Sequence, residues 1–311
     1  MNKKMLFVYN PNAGKCKIKD QLSDIIDNFT NKFTEVIVSP TKKRGDATER
    51  VIARENDDDC ELIACSGGDG TLHEVVNGMM RRTKRVPILY IPTGSTNDFG
   101  KSLGIPKDMV EASSYVSDGK CFPCDVASFN SKFFVYTACF GIFTKTSYAT
   151  PQYLKNALGH FAYVLNGASE LTRIPKYSMT VEFNDQVVTG DFIFGSVTST
   201  SSIGGSEIIT PKNVDFDDGL YEMILIKAGN IIDYTIIINN LLSGNYNSDK
   251  VIYAKVNHVR FISNEEVPWC VDGEFGGEEN IVDVTVLKQD VKFMLPQQQY
   301  NESLIQIADN R

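Results

Sequence analysis

Histidine and tryptophan are scarce in this chain, with three of the former and one of the latter among 311 residues. His73, His160 and His258 share no spacing that would build a metal site or a proton relay, so a histidine-centred chemistry is set aside. Long apolar runs are missing too. Met5 to Tyr9 follows Lys3 and Lys4, but Asn10-Pro11 breaks it well short of a secretory signal. No stretch approaches the ~20 apolar residues that span a bilayer. Positive charge is in deficit: the formal net charge is -8. That argues against a general nucleic-acid binder, which needs a basic face to displace counterions. Paired cysteine ligands are absent as well. The seven cysteines include one C-x-x-C pair, Cys121 and Cys124, and one pair leaves a tetrahedral zinc site half built. They read as reduced thiols of a cytoplasmic protein.

What is present is an ordinary globular composition, 42% hydrophobic, in a chain long enough that two domains are expected. The first ~125 residues alternate strand and helix signals, as a parallel sheet with crossover helices requires. Strands are expected at Met5 to Tyr9, Thr34 to Val38, Leu62 to Cys65 and Pro87 to Ile91. Helices are expected at Asp20 to Phe33, Asp46 to Glu55 and Thr71 to Met80. Beyond about Asp125 the texture becomes mainly β. Strands are expected at Phe133 to Phe140, Ser178 to Phe183, Phe192 to Thr198, Leu220 to Ile226, Val256 to Ile262 and Ile281 to Val286. Asn184-Asp185 and Asp218-Gly219 supply turns, and helices are expected at Pro151 to Leu171 and Ile231 to Leu242. Gln297 to Ala308 is weakly amphipathic and suited to packing back on the first domain. Lys42-Lys43-Arg44, and Arg81-Arg82 with Lys84 and Arg85, read first as a solvated turn and a solvated helix end, and second as contacts for phosphate or an anionic surface.

The chemistry concentrates at turns that follow strands. Ser66-Gly67-Gly68-Asp69-Gly70-Thr71 joins a strand to a helix; three glycines let backbone approach a phosphate chain without a Cβ clash. The helix N-terminus adds N–H donors and partial positive charge. Thr71 is placed to cap that helix, with Glu74 completing a capping box. The run has neither Rossmann nor Walker A spacing. Asp69 beside phosphates would repel them unless Mg²⁺ intervenes, so it points to a metal. Asn10-Pro11-Asn12-Ala13-Gly14-Lys15 and Pro92-Thr93-Gly94-Ser95-Thr96-Asn97-Asp98-Phe99 follow two further strands. Taken alone the former is a turn, and the latter is as readily a helix cap made by Asn97 or Asp98. Asp215-Phe216-Asp217-Asp218-Gly219-Leu220 offers carboxylates to a hard cation or forms a solvated turn. Val271-Asp272-Gly273-Glu274 follows Trp269. It is either an Asp-Gly hairpin, the preferred reading, or an acid whose pKa an apolar neighbour raises toward that of a general base.

In this order, the Asn-Pro…Gly loop, Gly-Gly-Asp-Gly-Thr, Pro-Thr-Gly-Ser-Thr-Asn-Asp-Phe, Asp-Asp-Gly-Leu and Asp-Gly-Glu resemble the bacterial diacylglycerol/lipid kinase family, over nearly the whole chain. Eukaryotic diacylglycerol, sphingosine and ceramide kinases share that catalytic domain. The resemblance implies an α/β fold: a three-layer Rossmann-like domain of the NAD kinase/diacylglycerol kinase kind over 1–126, a mainly antiparallel β-sandwich over 127–295, and a C-terminal segment over 296–311. It implies ATP and Mg²⁺ in a cleft between the domains. ATP would be lined by Asn10, Pro11, Asn12, Gly14, Thr41, Gly67, Gly68, Asp69, Gly70, Thr71, Glu74, Gly94, Ser95 and Asn97. Asp69 and Asp98, with Asp125, would form an acidic Mg²⁺–water network. Asp215, Asp218 and the Leu220 carbonyl would hold a structural Mg²⁺, and Glu274 would be the general base.

Two positions depart from the family pattern. Ser95 replaces a commoner Thr, and Gly45-Asp46-Ala47 stands where Gly-His-Ala is frequent. The expected activity is phosphorylation of a lipid hydroxyl, diacylglycerol first. The alternatives are an NAD kinase-like enzyme of a soluble substrate and a non-catalytic nucleotide-binding regulator. The implied partner is a lipid alcohol at a membrane surface, with peripheral contact at its inner face and self-association both admitted, and no nucleic acid. Phe140 to Tyr148 and Tyr153 to Leu165 either line the acceptor pocket or fill core, and core is preferred.

Overall fold

The computed structural model describes residues 3–142, 174–202, 214–243, 245–246 and 248–296. The helix expected at Pro151 to Leu171, His160, the acceptor-lining stretches past Ile142 and the segment from Gln297 lie outside them. The chain divides into two compact units. One takes Met1–Val126, Asp215–Asp218 and the chain from Lys288 onward; the other takes Ala127–Val214 and Gly219–Leu287. The first unit therefore recruits two later stretches that a division by contiguous sequence assigns elsewhere.

The first unit is a parallel sheet with helices. Its central strand β1 (Lys4–Tyr9) is buried from Met5 to Val8, as a strand covered on both faces must be. β1 pairs in parallel with β2 (Glu35–Pro40) on one side and β3 (Cys60–Gly67) on the other. β3 pairs with β4 (Ile88–Pro92). The last stretch of β13 (Glu274–Leu295) adds at the far edge through Phe293 opposite Ile88. Strand order thus reverses between β1 and β3, which is where open α/β sheets hold ligands.

Helices α1 (Leu22–Thr30), α2 (Asp46–Ile52), α3 (Asp69–Met80), α4 (Asp98–Ser102) and α5 (Met109–Asp118) complete the unit. α1 buries Ile25 and Phe29 at i,i+4, and Phe29 meets Phe7 edge-on with ring centroids 5.1 Å apart. α2 and α3 pack closely because Gly78 carries no side chain: a Cβ there would lie 2.7 Å from Val51 Cβ.

The second unit is antiparallel. β7 (Thr137–Gly141) lies between β9 (Gln186–Thr198) and β12 (His258–Val271). β10 (Tyr221–Lys227) joins β9 to β11 (Val251–Val256), and β8 (Tyr177–Phe183) pairs with both β9 and β12. β5 (Lys120–Phe129) pairs with β6 (Lys132–Phe134). One core is built on Trp269, whose ring meets Phe129, Phe140 and Phe261 with centroids 4.9 to 5.3 Å apart. A second cluster packs Tyr234, Ile237 and Leu241 of α6 (Ile231–Leu242) against Ile193, Ile224 and Cys270.

The strand expected over Phe133 to Phe140 is broken in two. Between β6 and β7, the N–H groups of Val135, Tyr136 and Thr137 turn to the carboxylate of Asp272, at 2.8, 3.0 and 3.1 Å. Asp272 is itself buried and begins the two-residue turn joining β12 to β13, with φ of 48° at Asp272 and 80° at Gly273. The preferred hairpin reading of Asp272-Gly273 is what the structure contains.

Candidate nucleotide and phosphoryl-transfer site

Backbone contacts gather three loops of the first unit at the carboxyl ends of β1, β3 and β4. Asn10 N–H donates to the Ser66 carbonyl at 2.8 Å, and Thr93 N–H to the Gly67 carbonyl at 2.8 Å. Thr41, just past β2, donates to the Tyr9 carbonyl at 2.9 Å. Asn10 folds its own loop by accepting from Asn12 N–H at 2.9 Å, through the turn at Pro11. The closest approaches fall on glycine. A Cβ on Gly94 would lie 2.5 Å from Gly68 Cα, and one on Gly14, whose φ is +54°, would run into the Thr93 carbonyl oxygen. Asn97, in the left-handed region at φ 51°, clamps the third loop. Its Oδ1 accepts from Gly94 N–H at 2.8 Å and its Nδ2 donates to the Gly94 carbonyl at 2.9 Å. Ser95 is exposed at the loop tip.

α3 starts at Asp69 with Gly68 as its N-cap and no side-chain cap. The expected capping box of Thr71 and Glu74 is therefore not formed, because the helix begins two residues early and Thr71 and Gly70 fall inside its first turn. Glu74 instead serves α2: Oε1 accepts from Gly45 N–H at 2.7 Å and Oε2 from Ala47 N–H at 3.1 Å. Asp46, at the departure from Gly-His-Ala, accepts from Lys42 and Lys43 N–H at 2.7 and 3.1 Å. These bonds, Lys42's first, hold its carboxyl below the ordinary value.

Asp69 likewise caps a neighbour, the short α4. Its carboxylate accepts from Thr96 Oγ1 and Asp98 N–H at 3.2 Å and from Phe99 N–H at 3.4 Å. Burial, and then the charge of Asp98, nonetheless push its pKa up to about 6. Asp98 is buried, with 2% of its surface exposed. Beneath the loops Tyr90 donates its hydroxyl to the Gly67 carbonyl at 3.3 Å, and Ser66 Oγ and Thr93 Oγ1 are buried without partners. Two half-buried or buried carboxylates side by side, with backbone donors and orphaned hydroxyls around them, are a donor set suited to a hard cation and a phosphate chain.

Asp125 does not complete that pair into a triad. Among the described residues no three acidic, histidine or cysteine side chains converge on a metal position. Asp125 accepts from Gln289 N–H at 2.7 Å and donates its own N–H to the Phe216 carbonyl at 2.7 Å. It therefore anchors the Asp215–Asp218 stretch, which Gln289 Nε2 also holds through the Asp217 carbonyl at 3.1 Å. Leu220 and Glu274 belong to the second unit. Glu274 opens β13 opposite Val271, while Trp269, expected to set its environment, pairs with Gly277 and gives its ring to the core. Strand alternation sends Trp269 inward. Thr93 and Thr96 stand in the third loop that the sequence singles out, whereas sequence reasoning missed Tyr90, an ordinary core residue until the loops are folded together.

Comparisons with known proteins identify the family. The family model for the diacylglycerol kinase catalytic domain matches residues 4–129, and that for the YegS C-terminal NAD kinase beta sandwich-like domain matches 141–294. A diacylglycerol kinase of Staphylococcus carnosus is 33% identical over 98% of this chain and 99% of its own. One of Bacillus subtilis is 32% identical over 88% and 91%. The crystal structure of a diacylglycerol kinase from Bacillus anthracis shares the fold, with a TM-score of 0.74 at 22% identity over 95% of this chain and 98% of that one. The chain belongs to the diacylglycerol kinase family of lipid kinases.

Proposed function

We propose that the protein transfers the γ-phosphoryl group of ATP to the free hydroxyl of diacylglycerol, giving phosphatidic acid and ADP. The observation that carries this reading is the convergence of three glycine-bearing strand ends on the Asp69–Asp98 pair. The relatives named diacylglycerol kinase, similar along nearly the full chain, support the acceptor. Phosphoryl transfer needs positioning and charge neutralisation more than covalent chemistry. Backbone of the loops at Asn10–Gly14, Gly67–Thr71 and Gly94–Asn97 orients the triphosphate, with the α3 N-terminus directed at it. Asp69 and Asp98 would hold Mg²⁺, which would supply neutralisation of phosphate charge. Asp215, Asp218 and the Leu220 carbonyl would be the ligands of a second, structural Mg²⁺. Glu274 takes the proton of the lipid hydroxyl as its oxygen bonds to the γ-phosphorus and the bond to the β–γ bridging oxygen breaks. The lipid is met at a membrane surface; among the described residues no helix is long and apolar enough to cross one.

The test is incubation with γ-labelled ATP and Mg²⁺ in micelles containing diacylglycerol, beside parallel reactions with NAD. Labelled phosphatidic acid is expected, and labelled NADP alone would move the protein to the soluble-substrate class. Glu274→Gln should slow the lipid reaction by about 10²–10⁴-fold with unchanged unfolding of the second unit. Wild-type turnover in that variant would remove Glu274 from its role.

A further inference from the structure

Three small polar side chains form a row inside the second unit, on the sheet face that α6 covers. Cys139 of β7 lies opposite Ser196 of β9 on one side and Cys270 of β12 on the other. Residues directly opposite one another in a sheet share a face. Cys139 and Cys270 belong to the cluster under Tyr234, Ile237 and Leu241. Ser196 is fully buried, and its Oγ has no hydrogen-bond partner. The row continues to Phe275, which pairs with Cys270 and is half-exposed, so it runs from the interior to the surface. None of the three polar residues has a part in the proposed phosphoryl transfer.

Strand register sets how close the two thiols come. One step beyond the Val271–Ala138 pair, Asp272 N–H donates to the Thr137 carbonyl opposite it at 2.8 Å. Hydrogen-bonded and non-hydrogen-bonded pairs alternate, so Cys139 and Cys270 occupy a hydrogen-bonded position, with Cα atoms about 5.5 Å apart. On the other side Ser199 N–H donates to the Tyr136 carbonyl at 2.9 Å, which puts Cys139 and Ser196 at a non-hydrogen-bonded position, where side chains are closest. A disulfide spans Cα separations of about 4.4–6.8 Å and Cβ separations of about 3.5–4.5 Å. The first condition is met as folded. The second asks β7 and β12 to close slightly, since opposed Cβ atoms lie about 4.5–5.5 Å apart. A bond made under that strain is correspondingly easy to reduce. Both cysteines are free thiols, and they already interact. A hydrogen bond with Cys139, ahead of burial, holds the Cys270 thiol well above its ordinary range. Cys270 therefore keeps its proton and directs it at the Cys139 sulfur.

We propose that Cys139 and Cys270 are a reversible redox pair, which a hydroperoxide converts to a cross-strand disulfide, with the Ser196 hydroxyl holding the oxidised Cys139. Burial restricts the oxidant to one of about the size of hydrogen peroxide. The Cys139 sulfur attacks one peroxide oxygen, the O–O bond breaks, and Cys139 sulfenic acid forms as the first water leaves with the thiol proton. The Cys270 sulfur then attacks Cys139, the S–O bond breaks, and the hydroxyl leaves with the Cys270 proton as the second water. Two thiols and one peroxide thus give one disulfide and two waters. The bond would pull β7 and β12 together two residues ahead of Asp272, whose carboxylate holds the bend at Val135 to Thr137.

The experiment uses the full chain carrying Cys16→Ser and Cys121→Ser, which removes the two exposed thiols. Hydrogen peroxide is added, the chain is denatured in a maleimide, and its peptides are mapped by mass spectrometry. A Cys139–Cys270 cross-linked peptide is expected, about 2 Da lighter than the two thiol peptides together. Cys65 is the burial-matched control, since it is fully buried with Val8 and Tyr90 opposite it. The pair should be consumed at least about tenfold faster than Cys65, and glutathione alone should restore both thiols. In Cys270→Ala the Cys139 peptide should gain about 16 Da as sulfenic acid, and adding Ser196→Ala should carry it on to sulfinic acid at about 32 Da. Sulfenic acid that persists equally without Ser196 overturns the serine's part. Full maleimide labelling of both cysteines after peroxide, or loss no faster than that of Cys65, overturns the redox pair. Lipid phosphorylation enters none of these readouts, so this inference and the proposed transfer fail separately.

Discussion

Replacing Asp272 by asparagine keeps shape and size while removing a charge from the centre of the second unit. In the native protein one carboxylate oxygen accepts from Val135 N–H, and the other from Tyr136 and Thr137 N–H. An asparagine offers one acceptor oxygen, and its NH₂ must then face a backbone N–H. In the less costly orientation Val135 loses its acceptor and the other two bonds become neutral. Hydrogen bonds to charged groups contribute about 1.5–3 kcal/mol each, against about 1 for neutral ones. The variant should therefore lose about 3–5 kcal/mol, a large share of a typical ~5–15 kcal/mol. The sole tryptophan, Trp269, sits in the core of this unit, so its fluorescence reports this unfolding transition directly. With urea slopes of about 1–3 kcal/mol/M, the midpoint should fall by roughly 1–5 M. Asp185→Asn is the control: Asp185 has the same left-handed backbone at φ 59° in an exposed hairpin, and asparagine tolerates that geometry. If Asp272→Asn unfolds at the same urea concentration as Asp185→Asn, the three buried hydrogen bonds are not what holds the turn.

The carboxyl of Asp69 titrates near 6 in the folded chain against an ordinary 3.8. Between those values the folded state keeps a proton that the unfolded state has lost. Stability of the ligand-free protein should therefore fall as pH rises through that window, by at most about 3 kcal/mol given the group's partial contact with solvent. Asp69→Asn should gain on wild type by that amount between about pH 4 and 7 in urea unfolding followed by circular dichroism; parallel pH profiles would contradict the assignment. Gly94→Ala should cost about 1–3 kcal/mol and raise the KM for ATP, because its Cβ would press on Gly68 Cα at 2.5 Å and Asn97 Oδ1 at 2.7 Å. An unchanged KM would show that the two loops separate without consequence for nucleotide.

The Rossmann-like half was legible because its strands are short apolar runs and its first three helices carry clean periodicity. α5 was missed: its Ser113, Ser114 and Ser117 blur the apolar face, and its start is marked by a lone cap, Asp108, accepting from Glu111 N–H at 2.9 Å. Pro123 hid β5. Gly276-Gly277 and the acids after them hid the first half of β13, which runs 22 residues. At the site, the glycines and Asp69 announced themselves through composition at strand ends. The duties of Glu74 and Asp125 did not, since each carboxylate is used by backbone donors 27 to 29 and 164 residues away in sequence. Nothing local marks such a partner.

The interleaving of the two units bears on how the chain is made. β4 gains its outer neighbour only when Phe293 arrives, about 200 residues after Ile88 has been synthesised. At ~5–20 residues per second, that edge stays open for roughly 10–40 seconds on the ribosome. An apolar, unpaired parallel edge is a template for pairing with other chains. A product truncated just before Lys288 would carry all three phosphate loops and yet keep that edge bare, and should precipitate where the full chain stays dispersed.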